Sequence, residues 1–135
     1  MDKRKAARDR DRGAQACPCG LGLYANCCAP LHDGAGAADA SQLMRARYSA
    51  YALGKSGYVR ATWHARTRPG SLDPEPDVKW LGLQVLRHES GPQQAQVEFV
   101  ARYKQNGRAQ RLHEISRFVH EEGQWWYLDG EHPET

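Results

Sequence analysis

The residues best suited to chemistry are four cysteines within twelve positions: Cys17-Pro18-Cys19-Gly20-Leu21-Gly22-Leu23-Tyr24-Ala25-Asn26-Cys27-Cys28. A C-x-C pair can bring two thiolates to one ion from a single turn, and Pro18 limits the conformations of that turn. Gly20 and Gly22 permit the reversal, after which the chain returns with a second cysteine pair. Zinc takes four tetrahedral ligands in closed structural sites, and four thiolates complete that set with no position left for water. The spacing therefore predicts a structural zinc centre on Cys17, Cys19, Cys27 and Cys28 rather than metal catalysis. A redox dithiol cluster is the competing reading. Adjacent side chains tend to diverge, so His32 is an alternative ligand in place of Cys27 or Cys28. Four thiolates on one zinc carry net negative charge, for which the basic N-terminus and Arg45–Arg47 are the candidate compensators. A loop this short has almost no core, so its order should depend on the metal.

A second candidate site comes from alternation further along. On the third predicted strand one face carries Leu112, Glu114, Ser116 and Phe118, and the other His113, Ile115, Arg117 and Val119. Both faces mix polar and apolar residues, so pattern alone does not choose the buried one. If Phe118 points inward, Glu114 does too, and a buried carboxylate needs a cation or donor such as Arg45, Arg47, His64 or Tyr48. The candidate pocket is thus Tyr48, Trp63, His64, Glu114 and Arg117. Glu114 or His64 as a general acid–base group is the sharp reading; a satisfied ion pair tying helix to sheet is the favoured one. No nucleophile–base signature, phosphate loop or nucleotide fingerprint occurs.

The elements that would hold these residues follow from periodicity. Asp39 or Ser41 can cap a helix whose buried stripe is Met44, Tyr48, Tyr51 and Ala52, with Gly54 ending it. Ser56 caps a second helix carrying Tyr58, Val59, Thr62 and Trp63 on one face, stopped by Pro69-Gly70. Residues 71–77, with Pro74 and Pro76, read as loop. The period then changes to two. Leu81, Leu83 and Val85 alternate over residues 79–87, and Ala95, Val97, Phe99, Ala101 and Tyr103 over 94–103. Asn106-Gly107 is a strong hairpin turn signal before a third strand near residues 110–120. Glu122-Gly123 turns the chain into a fourth strand over residues 125–128. Trp125-Trp126 must place one indole on each sheet face. Two helices followed by a curved four-stranded antiparallel meander make an α+β fold, with the sheet bent around the helices. The chain divides into a disordered basic tail (1–15), the zinc knuckle (16–34) and an α+β domain (35–135).

Composition narrows the function classes. At 135 residues, 40% hydrophobic and 26% charged, the chain suits one modest globular domain. No apolar run is long enough to span a bilayer and no secretory signal opens the sequence, so a cytoplasmic location is expected. Thiols stay reduced there, which favours metal over disulfides. Residues 1–12 hold six basic and three acidic side chains, so the whole net charge of +3 lies in them and the rest is neutral. A neutral body argues against specific duplex DNA binding. Arg45, Arg47, Lys55, Arg60, Arg66 and Arg68 do form a run without acids, which reads as a solvated helix face first and as an anion or nucleic-acid surface second.

The cysteine segment resembles the SEC-C motif, which binds zinc and contributes to partner contacts at the C-terminus of the SecA translocase ATPase. Here the spacer between cysteine pairs is seven residues where eight is usual, and Leu21 stands where Ser is usual. Further segments are similar to the YchJ family of uncharacterised bacterial proteins. They are Leu43-Met44-Arg45-Ala46-Arg47-Tyr48-Ser49-Ala50-Tyr51, Thr62-Trp63-His64, Arg68-Pro69, Trp80-Leu81-Gly82-Leu83, Val97-Glu98-Phe99-Val100-Ala101-Arg102, His113-Glu114-Ile115-Ser116-Arg117-Phe118 and Trp125-Trp126-Tyr127-Leu128-Asp129-Gly130. The resemblance implies a SEC-C knuckle joined to an NTF2-like (cystatin-like) cone of curved sheet and helices. Together these readings lead to a non-enzymatic protein that binds a protein or ribonucleoprotein partner through the zinc knuckle and basic tail. The alternative is a small-molecule-binding domain or enzyme that uses the interior of the cone.

Overall fold

The computed structural model describes residues 14–72 and 77–133. The expected disordered tail lies, but for its last two residues, outside the described residues, as do Pro74 and Pro76 of the expected loop. The cysteine segment is built from one 3-10 turn, Tyr24–Asn26, and a single helical turn α1, Ala29–His32. Helix α2 spans Ala40–Leu53 and α3 spans Ser56–Ala61. Four strands follow, β1 (Val78–Ser90), β2 (Gln94–Gln105), β3 (Arg108–Glu121) and β4 (Gln124–Glu131), paired in that order as an antiparallel meander.

Helix α2 starts at Asp39 rather than Ser41. The Asp39 carboxylate accepts from the Gln42 N–H at 2.8 Å, satisfying a first-turn donor. Gly54 closes the helix at φ 74°, a left-handed conformation in which the absent Cβ matters. The buried surface is much wider than a single stripe. Met44 and Tyr48 are buried as expected, but so are Leu43, Ala46, Arg47, Ser49 and Ala50, while Tyr51 is 44% exposed. The reason is that α2 is covered on two sides, by the sheet and by the cysteine knuckle, so no polar face survives along its middle.

The second helix departs from the sequence reading at both ends. Lys55, not Ser56, is the N-cap, and no side chain caps it. The helix ends at Ala61, well before Pro69, because the chain leaves it to pair with the sheet. Trp63 forms a parallel bridge with Tyr127: the Tyr127 N–H donates to Thr62 O at 2.9 Å and the His64 N–H to Tyr127 O at 2.8 Å. A sheet edge that would otherwise be open is partly covered this way.

Two of the meander turns are tight. Asn106-Gly107 and Glu122-Gly123 each place both central residues at positive φ (54° and 77°, 55° and 78°), matching the twist of the flanking strands. The strands are longer than periodicity indicated, and β1 does not alternate simply. Leu81 and Leu86 have no partner on β2, being extra residues at two bulges, and are 48% and 46% exposed. Leu81 therefore does not belong to the inward set with Leu83 and Val85. The bulges, with a third irregularity between Arg117 and Phe118, bend the sheet around α2. Ala95, Val97, Phe99, Ala101 and Phe118 on the concave face meet Met44 and Tyr48 of α2 to make the core. Trp125 packs against this core, whereas Trp126 on the other side lies beside His64 and donates its indole N–H to Glu121 O at 3.0 Å.

Candidate metal centre

The two cysteine pairs meet although seven residues of chain separate Cys19 from Cys27. Ala16 and Leu23 form an antiparallel bridge, Cys17 N–H donates to Gly22 O at 2.6 Å and Gly20 N–H to Cys17 O at 3.0 Å, which folds the first pair back on itself. The 3-10 turn then delivers Cys27, and Cys28 stands at the N-terminus of α1. Adjacent cysteines need not diverge when one ends a turn and the next begins a helix. The sulfurs of Cys17, Cys19, Cys27 and Cys28 all lie within 4.8 Å of one another, with Cys19–Cys27 at 3.4 Å and Cys27–Cys28 at 4.0 Å. Tetrahedral bonds of ~2.3 Å from zinc to sulfur would set sulfur–sulfur separations near ~3.8 Å, so the donor set fits such an ion. All four cysteines are free of disulfides.

His32 is not part of this set. Its Nε2 faces Ala46 O at 2.8 Å and its Nδ1 faces the Tyr24 hydroxyl at 2.6 Å. A carbonyl only accepts, so Nε2 carries the hydrogen and Nδ1 accepts from Tyr24. Burial lowers the His32 pKa, consistent with a neutral ring. The ring is a strut between knuckle and α2, with Tyr58 against its edge at 4.7 Å.

In the absence of a cation the sulfurs compete for protons. Cys19 is held down to about 4, chiefly because Cys28 hydrogen-bonds to its sulfur. Burial pushes Cys27 up to about 12, and Cys28 rises because it is the partner that donates to Cys19. Cys19 is therefore favoured as a thiolate over Cys27 and Cys28. A bound cation would deprotonate all four and remove that conflict.

The expected charge compensators are arranged differently. Arg45 donates to the Cys19 carbonyl at 3.1 Å, not to a sulfur, and Arg47 points away into the protein. What does reach the sulfurs is Ser49, a residue that sequence reasoning passed over as a ligand partner. Fully buried on α2, it donates from Oγ to Cys28 Sγ at 3.3 Å and lies 3.4 Å from Cys17 Sγ. With Ala46 and Ala50 it forms a small-residue surface on which the knuckle rests; small residues at helical spacing were the available signal. Outer partners of metal ligands typically contribute about 10–100-fold to metal affinity. Ser49→Ala should therefore weaken metal retention by about tenfold in a chelator competition. An unchanged competition curve would show that the hydroxyl does not support the thiolates.

The candidate pocket residues do not all converge. Tyr48 and Glu114 line a cavity of about 250 Å³ between α2 and the concave sheet face, together with Arg47, Ser116, Phe118 and Tyr127. Phe118 and Glu114 share the inward face of β3, as the conditional reading required. Glu114 Oε2 accepts from Ser116 Oγ and from the Tyr127 hydroxyl, the latter at 3.2 Å. It occupies space that only a glycine on β4 leaves open, since a Cβ at Gly130 would sit 2.6 Å from the Glu114 carboxyl carbon. Trp63 stands behind this wall, its ring edge-on to Tyr127 at 4.9 Å. His64 and Arg117 do not reach the cavity. His64 pairs with Glu121 at 2.8 Å near the surface, and Arg117, on the outward face of β3, pairs with Asp129 at 2.5 Å. The basic run is likewise dispersed: Arg60 donates to Pro69 O at 2.7 Å, and Arg68 holds Trp63 O through two nitrogens at 3.0 and 2.7 Å. These side chains fasten loops instead of forming one cationic face.

Comparison with known proteins places this geometry among relatives. The family model described as "YchJ, middle NTF2-like domain" matches residues 39–130. The UPF0225 protein of Methylibium petroleiphilum is 54% identical over 119 residues, covering 85% of this chain and 87% of that protein. The UPF0225 protein of Ralstonia nicotianae is 52% identical over 130 residues, covering 86% and 90%. Among solved structures, the solution structure of a SEC-C motif containing protein from Rhodopseudomonas palustris superposes with a TM-score of 0.79 at 33% identity, covering 89% of this chain and all of that one. The crystal structure of a SEC-C motif containing protein from Psychrobacter arcticus gives a TM-score of 0.76 at 31% identity, covering 92% and 86%.

Proposed function

The chain belongs to the YchJ family, and from that premise we propose that it is a non-enzymatic zinc protein whose metal centre holds a rigid surface for a protein or ribonucleoprotein partner. The carrying observation is the closed tetrad: four sulfurs within 4.8 Å of one another, three of the cysteines buried, leave no place for a reacting water. Zinc is the ion that suits such an all-thiolate, four-coordinate set. Cys17, Cys19, Cys27 and Cys28 are its ligands, and Ser49 stabilises the charge they carry. The compartment in which such thiols stay available to metal is the cytoplasm. Among the described residues no helix is long and apolar enough to cross a membrane.

The surface held by the metal has apolar content. Leu21 and Leu23, at the tip between the cysteine pairs, are 64% and 50% exposed. Folding alone gives these two side chains nothing to bury, which supports a contact role. The test is a pull-down from the native host with wild-type protein and the Cys17→Ser, Cys19→Ser double variant, alongside metal analysis of both. One equivalent of zinc and a partner lost with the double variant are expected. Equal recovery by both proteins would refute a metal-held docking surface, and a metal-free wild-type protein prepared reduced with zinc would refute the centre itself.

A further inference from the structure

The cavity under α2 has a chemical character that the metal reading does not use. Its walls are apolar on most sides, with Met44, Trp80, Phe99 and Phe118 among them, and it holds two charged groups, Arg47 and Glu114. At about 250 Å³ it falls just below the ~300–1,000 Å³ of pockets for drug-sized ligands, which limits an occupant to a small molecule.

Arg47 is the unusual element. Only 5% of it is exposed, yet no carboxylate lies within ion-pairing distance of it among the described residues. Its Nη1 donates to Val59 O and Thr62 Oγ1, both at 2.7 Å, and its guanidinium carbon lies 4.2 Å from the Tyr127 ring centre and 5.2 Å from that of Trp63. Neutral acceptors and ring faces hold the cation but do not cancel its charge. Glu114 does not neutralise Arg47, because Tyr127 separates them: its ring faces the guanidinium and its hydroxyl faces the carboxylate. A buried cation without an anionic partner is costly, and an anion brought by a ligand would remove that cost.

We propose that this cavity binds a small hydroxyaromatic acid, its carboxylate meeting Arg47, its ring packed between the apolar walls, and its hydroxyl directed to the Glu114 carboxylate. An aromatic body suits walls of Trp80, Phe99 and Phe118, and two polar ends match two opposed charges held apart. A dicarboxylate would meet repulsion at Glu114, and a neutral aromatic would leave Arg47 unpaired.

The test titrates 4-hydroxybenzoate and its neutral analogue 4-hydroxybenzamide into the metal-loaded full chain, followed by amide chemical shifts. Saturable binding is expected, with the acid at least tenfold tighter than the amide and the largest shifts at Phe99, Glu114 and Phe118. Equal affinity for both probes, no binding of either, or shifts confined to the cysteine knuckle would overturn the proposal. Met44→Trp, which fills the cavity from the helix side, should weaken the acid at least tenfold, as should Arg47→Gln. If Arg47→Gln does not fold, the acid-to-amide ratio in the wild-type protein still decides. This outcome is independent of whether the cysteines hold zinc.

Discussion

Serine at both Cys17 and Cys19 should abolish metal binding, unfold residues 16–34 and lower the melting temperature of the chain. Metal binding to small zinc modules is worth roughly 10–16 kcal/mol, whereas a whole domain is stable by only about 5–15 kcal/mol. Little apolar burial holds the knuckle otherwise. Tyr24 and Leu31 are its buried residues apart from the cysteines, and its remaining ties are a few hydrogen bonds, among them Tyr24 N–H to Gln15 O, His32 to Ala46 O and Arg45 to Cys19 O. Its loss would also uncover the surface of α2 made by Ala46, Ser49 and Ala50, which are buried in the folded protein. The expected pattern in hydrogen exchange is therefore graded: complete loss of protection in the knuckle, partial loss in α2, and retained protection in the central strands β2 and β3. Chelation of the wild-type protein should reproduce it. A double variant that melts with the wild type and keeps its knuckle amides protected would mean that packing, not metal, orders this segment.

How much of this was legible beforehand depends on whether the deciding interaction is local. Cysteine spacing, the Asp39 cap, Gly54 and Asn106-Gly107 act through bonds within a few residues, and each lies in the structure where the sequence put it. The failures are long-range. Ser56 looks like a cap until Lys55 and the pairing of Trp63 with Tyr127 are seen to set the ends of α3. Leu81 looks inward until a bulge removes its partner. Arg45 and Arg47 were both candidates for the thiolates, but successive odd positions on a helix point to different sides, and the one that turned inward met Tyr127 and Trp63. His64 and Arg117 failed as pocket residues for a similar reason: their partners Glu121 and Asp129 sit on the rim and the outer face of the sheet, and neither proximity is visible in the sequence. Alternation alone left the direction of β3 open, and Phe118 resolves it.

Phe118→Ala should accordingly be the most damaging single core substitution, costing about 3–5 kcal/mol. Phe118 is 1% exposed, pairs with Ala95 of β2, and meets the Tyr127 ring edge-on at 5.7 Å. Ala95 on the neighbouring strand is too small to fill the void, and the adjoining residues belong to a paired sheet that cannot collapse without breaking its register. Of the 5–15 kcal/mol typical of a domain, this loss is a large share, so chemical denaturation at constant slope should show a clearly lower midpoint. The void would join the existing cavity, which Phe118 already lines, and would remove the edge contact that orients Tyr127. Tyr127 holds both Arg47 and Glu114, so the variant should loosen the two charged groups as well as the core. The cysteine tetrad lies across α2 from this void, so the metal retained by the purified variant should equal that of the wild type. A loss below about 1 kcal/mol, the range of a surface substitution, would mean that the concave face of the sheet is not the principal core.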